Sequence, residues 1–202
     1  SQVATIDFAK NFKGHGLIGI KFQLDPLEDY NEIIMHVRFK ENDARLQQET
    51  LGVLGVNLIY GAFYIHDSPK DLLKSFYDNL DKDQIEIDMI NFSGPRFAYV
   101  DNRLMSLQLV KNGMTNAVMF GPDGNNLLPA KQLYKKNILT FRGSFRPVTK
   151  VNMDIYHKAT KLFYAEKKVD KEKTKIIFEI TLSNLSAEGE INERDFLDRA
   201  EL

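Results

Sequence analysis

The sequence predicts an α/β fold: three layers around a mostly parallel or mixed sheet, with an N-terminal β-pair. Strand-like and helix-like segments alternate from about residue 84 to 182, the pattern that builds sheets covered by helices. Two β-rich segments come close together near the N-terminus. Of the 202 residues 43% are hydrophobic, enough for one medium domain to bury a core. The expected organisation is a single α/β domain over 1–202, with 1–42 as a β arm or extension. A chain that starts at Ser1 without an initiator Met reads as a piece of a longer protein.

The β-pair comes first. Residues 17–24 alternate and are β-rich, and 31–39 carry Ile33, Met35, Val37 and Phe39 at period two. From Asn42 or Asp43, either of which can cap, Leu46, Thr50, Leu51, Leu54, Leu58 and Ile59 recur at helical spacing. Asp67-Ser68-Pro69 starts a second helix, with Leu72, Leu73, Phe76, Tyr77 and Leu80 as its stripe. Residues 84–92 predict a strand with Ile85, Ile87 and Met89 on one face and Ile90 and Phe92 on the other. Ser93-Gly94-Pro95 ends it and opens a helix that Asn112-Gly113 stops. Residues 115–120 and 138–141 read as strands, 129–134 as a short helix, and 149–167 as a long one. Residues 174–182 give a last strand and 192–200 a terminal helix. Ligands on such sheets bind beyond the carboxyl ends of strands, which selects the loops 93–96, 121–126, 142–149 and 184–190.

Composition removes several functions. No cysteine is present, so disulfides, thiolate zinc sites and cysteine nucleophiles are absent. A net charge of −1 argues against a broad nucleic-acid surface. The longest apolar run, 51–65, is too short for a membrane span and is broken by Gly52, Gly55, Asn57 and Gly61. The expected setting is the cytoplasm, with neither nucleic acid nor membrane as partner. Phe8, Phe12, Phe22, Phe39, Tyr60, Phe63 and Tyr64 are assigned to the core or to a subunit contact, which leaves a homodimer open.

The strongest functional signal is Arg142-Gly143-Ser144-Phe145-Arg146-Pro147-Val148-Thr149, where a strand turns into a helix. The first N–H groups of a helix are unpaired and its dipole favours an anion there. Arg142, Arg146 and Lys150 are cations at that same end. They ask for an anionic ligand unless Asp123, Asp154 or solvent takes the arginines. Gly143-Ser144-Phe145-Arg146-Pro147, with Thr149 and then Asp154, Ile155 and Ala159, resembles the signature of the nicotinate-nucleotide and pantetheine-phosphate adenylyltransferases. The resemblance spans about twenty residues and implies adenylyl transfer with ATP and Mg²⁺. It departs from that signature at Arg146, Val151 and Asn152, which stand where the family has Asp, Gly and the phosphate-contacting His. Without that imidazole, weak or absent activity is expected.

The leading expectation is therefore binding of a nucleotide or other small phosphorylated ligand. Its candidate contacts are Arg142, Gly143, Ser144, Arg146, Thr149 and Asn152, with Ser93 and Arg96 at a second strand end. The alternative, from a different class, is a non-catalytic interaction or scaffold domain. A hydrolase acting through Asp101 or Asp123 is a third. His15, His36, His66 and His157 are scattered, with no metal-ligand spacing among them.

Overall fold

A computed structural model describes residues 2–6, 12–187 and 189–201. Phe8 and the side chain of Phe12 lie outside what it describes. The chain divides into two compact units, 1–128 and 129–202. Helices and strands are mixed, as the sequence requires, but the main sheet is not parallel.

The first unit holds four strands, β1 (Gln2–Ile6), β2 (Phe12–Phe22), β3 (Asn31–Phe39) and β4 (Ile85–Ser93), in that order and antiparallel throughout. The N-terminal β-pair is thus half of a larger sheet. Between β3 and β4 run α1 (Ala44–Tyr64) and α2 (Pro69–Ser75). A parallel pair needs a crossover, which reverses the chain twice, usually through one helix. Two helices in succession reverse it twice more than a turn does, so β4 enters beside β3 running the other way. The parallel order is expected among the strands 84–92, 115–120, 138–141 and 174–182; of these only 84–92 enters this sheet, where it pairs with β3 instead.

Each element has a local cause. Asp43 caps α1 by accepting from the N–H groups of Arg45 and Leu46, at 2.9 and 3.0 Å. Gly61 lets α2 approach closely: a Cβ there would lie 2.3 Å from Leu72 Cδ1. After β4, a 3₁₀ turn (Pro95–Phe97) precedes α3 (Asn102–Lys111), so the expected single helix comes in two pieces. Gly94, at φ +104°, is required there, because a Cβ would lie 2.5 Å from the Tyr30 carbonyl oxygen. Of the strand expected over 115–120, only β5 (Met119–Phe120) forms, paired with β6 (Asn126–Leu127).

One face of the sheet carries the core. Ile33, Met35, Ile85, Ile87 and Ile90 are fully buried against Leu54, Leu72, Phe76 and Leu109 of the helices. Strict alternation would put Met89 with Ile87 and set Ile90 apart. A β-bulge overturns that: His36 pairs with Met89 and Val37 with Ile87, leaving Asp88 as the extra residue. The bulge turns Ile90 and Phe92 inward and Met89 outward.

The second unit contains α4 (Pro129–Leu133), β7 (Asn137–Arg142), α5 (Lys150–Ala165), β8 (Thr174–Glu179), α6 (Leu182–Leu185) and α7 (Glu193–Ala200). Here one helix joins two strands, and β7 and β8 are parallel. Phe141, Tyr156 and Phe178 stack between α5 and the strands, with ring centroids 5.5–5.9 Å apart. No helix among the described residues is long and apolar enough to cross a membrane.

Candidate functional site

The Gly143 turn sits where the sequence places it, between β7 and α5, but both of its arginines are engaged. Arg142 forms a two-pronged pair with Glu179, its register partner on β8, with Nε and Nη2 3.1 and 3.0 Å from the carboxylate. Arg146 Nε lies 2.9 Å from Asp195 Oδ1 of α7. Neither Asp123 nor Asp154 takes an arginine: Asp123 accepts from Asn125 and Asp154 from Lys158. The acidic neighbours that compensate this helix N-terminus are Glu179 and Asp195.

Thr149 and Asn152 are spent on each other. Thr149 N–H donates to Asn152 Oδ1 at 2.9 Å, and Asn152 N–H donates to Thr149 Oγ1 at 3.3 Å. This is a capping box, and it explains an amide at position 152 without a ligand. Gly143 N–H donates to the Glu179 carbonyl, and the Ser144 carbonyl accepts from Arg199 Nη1 at 3.2 Å. Arg199, 6% exposed, also bonds Asp195. The ATP and Mg²⁺ implied by the resemblance do not fit this turn. Its two carboxylates face guanidinium groups, and among the described residues no group of three His, Asp or Glu side chains could hold a metal ion.

Ser93 and Arg96 belong to the first unit. Ser93 is exposed at the end of β4. Arg96 lies 3.3 Å from Glu28 and 3.8 Å from Asp25, and its N–H donates to the Asn31 side chain. The 121–126 loop, but not 93–96, contributes to a cleft of about 400 Å³. Asp101, Asn102 and Arg103 form one wall, where the 3₁₀ turn leads into α3. Gly124, Asn125 and Asn126 form the other, and Asn91 and Tyr99 complete it.

The cleft is polar and nearly neutral. Arg103 donates to Asp101 through Nε at 3.1 Å and Nη2 at 2.8 Å. The Arg103 guanidinium, helped by backbone N–H groups, holds the Asp101 carboxyl below the usual range although partial burial opposes this. Asp101 also caps α3 through the Arg103 N–H. Asn126 donates to the carbonyls of Ile90 and Asn102, while its Oδ1 is buried with no hydrogen-bond partner. Asn91 and Tyr99 gave no sequence signal, since each is an ordinary strand or turn residue until the chain folds. No family model, curated protein or solved structure matches the chain.

Proposed function

We propose that this chain is a binding module for a small phosphorylated ligand such as a nucleotide, held in the cleft beside α3 without group transfer. The cleft carries this reading, above all the buried Asn126 Oδ1 that lacks a donor. Buried polar atoms are almost always paired, so an open acceptor there suits a ligand N–H or O–H. The amides fit base or sugar edges, and Tyr99, 66% exposed, offers a ring to stack on. Arg103 would serve a phosphate in the place Asp101 now holds. A cytoplasmic setting, where such ligands are abundant, accords with this. The Gly143 turn is the weaker location, because an incoming anion would have to displace Glu179 and Asp195.

The test is thermal unfolding with ATP, nicotinate mononucleotide, phosphopantetheine and inorganic phosphate, on the wild type, Arg103→Ala and Arg146→Ala. A ligand at one hundred times its Kd stabilises by about 2.7 kcal/mol. A shift lost only in Arg103→Ala supports the cleft. Loss only in Arg146→Ala moves the ligand to the Gly143 turn, and no shift with any compound sinks the reading.

A second reading, an interaction domain that pairs with another copy of itself, has its own observation. Val56, Ile59, Tyr60, Phe63 and Tyr64, on the outward side of α1, are each 42–75% exposed. A helix apolar on both sides is normally buried on both. Gly52 and Gly55 leave open space along it, where a second helix could come close. Light scattering on Tyr60→Glu checks it: a dimer that becomes a monomer supports self-association, and a monomeric wild type rejects it.

A further inference from the structure

The face of the first sheet turned away from the core holds a hydrogen-bonded chain of three residues from three strands. His36, in the middle of β3, is 4% exposed. Its Nδ1 lies 2.6 Å from Asp88 Oδ1, and both side chains are buried. Its Nε2 lies 3.3 Å from Nδ1 of His15 on β2. Histidines that are distant in sequence are thus brought together by the β2–β3 register, in which Leu17 stands opposite His36 and His15 is the diagonal neighbour. Asp88 reaches them because it is the bulge residue.

The directions of these bonds fix where the protons sit. An ionised Asp88 only accepts, so His36 carries its proton on Nδ1 and donates it. A neutral His36 then presents a lone pair at Nε2, which requires a proton on His15 Nδ1. A neutral His15 is left with a bare lone pair at its own Nε2, for which the described residues supply no hydrogen bond. His15 is part-exposed, so solvent or a ligand can reach it.

We propose that Asp88, His36 and His15 form a proton relay whose working end is His15 Nε2, a base for an acidic O–H or N–H of a small molecule that reaches the part-exposed His15. The transfer balances. One proton arrives at His15 Nε2, the proton on His15 Nδ1 passes to His36 Nε2, and the Nδ1 proton stays on His36, still donated to Asp88. Every bond in the chain survives, and the positive charge comes to rest on His36 beside the buried Asp88 carboxylate, where opposite charges attract strongly. The other charged groups sharing this band are Arg38, opposite His15, and Glu86, opposite Arg38. Glu86 also accepts from Thr115 Oγ1 at 2.7 Å.

Long-range ¹H–¹⁵N spectra of the chain at alkaline pH test this. Imidazole side chains left to themselves prefer a proton on Nε2, so a proton on His15 Nδ1 is the distinctive result expected. Diethyl pyrocarbonate, an electrophile that labels unprotonated imidazole, should modify His15 several-fold faster than the exposed His157. In Asp88→Asn that advantage should vanish and His15 should drift toward the Nε2–H form. A purely structural Asp88–His36 bond would move neither readout at His15. The proposal is overturned if wild-type His15 carries its proton on Nε2, or if a folded Asp88→Asn labels His15 at the wild-type rate. Should Asp88→Asn fail to fold, the wild-type spectrum decides alone.

Discussion

The first unit is held by what it hides and the second by what it ties together at its surface. In the first, four antiparallel strands and three helices enclose side chains such as Ile33, Leu72 and Phe76 completely. In the second, no residue of α5 is buried, and Val151, Met153, Ile155 and Leu162 of that helix are each 46–70% exposed. A two-stranded sheet with one covering helix offers little interior. Its order rests on a capping box, on the stacked rings of Phe141, Tyr156 and Phe178, and on arginine–carboxylate pairs. Polar residues at a turn that look like a ligand site in the sequence can therefore be the fastenings of a unit short of core.

Mutations can break or sharpen this contrast. The largest effect is expected from Phe76→Ala, about 3–5 kcal/mol in urea unfolding, because a full ring leaves a closed core. The unfolding of the second unit, followed separately by amide exchange, should not move with it. Next is Asp195→Ala, about 3 kcal/mol, because it leaves the guanidinium of Arg199 buried without its carboxylate. Exchange should quicken across α7 and the Gly143 turn. A loss under about 1 kcal/mol would mean that the pair fastens nothing.

A pH scan separates the units differently. Burial pushes the Tyr77 phenol up, outweighing a hydrogen bond with the Ile87 backbone. Its folded value lies above the ordinary tyrosine value of about 10, so its stabilisation is whole below that pH and is lost as pH rises beyond it. Alkaline titration should therefore melt the first unit before the pH effect reaches the second, and Tyr77→Phe should flatten the fall. Smaller again is Thr149→Ala, about 1 kcal/mol from one lost cap, read by circular dichroism and exchange in α5. Least of all is Arg142→Ala. Its pair with Glu179 is two-thirds exposed on the arginine side, and no more than about 0.5 kcal/mol is expected in the same assay.

Elements that depend on neighbours in sequence were legible before folding. The period-two run from Ile33 to Phe39, the Ser68-Pro69 helix start and the strand–turn–helix at Gly143 all stand where spacing puts them. What depends on distant partners was not. The strand at 84–92 pairs with β3 rather than with the later strands, which no local pattern shows. The charge balance at Gly143 turned on Glu179 and Asp195, which no local pattern links to Arg142 or Arg146. The cleft was half legible, since Asp101 and the 121–126 turn were singled out but nothing joined them. Nor could scattered histidines be paired until the register placed His15 beside His36.

The bulge at Asp88 gives the sheet an unusual tolerance of length. Excising one residue from a strand normally turns the rest of it inside out. Here the pairs on either side of Asp88, His36 with Met89 and Val37 with Ile87, already exist. A chain one residue shorter at that point would close into a regular ladder with Ile87, Ile90 and Phe92 still facing inward. The backbone has no use for the extra residue, so its carboxylate is what the position contributes.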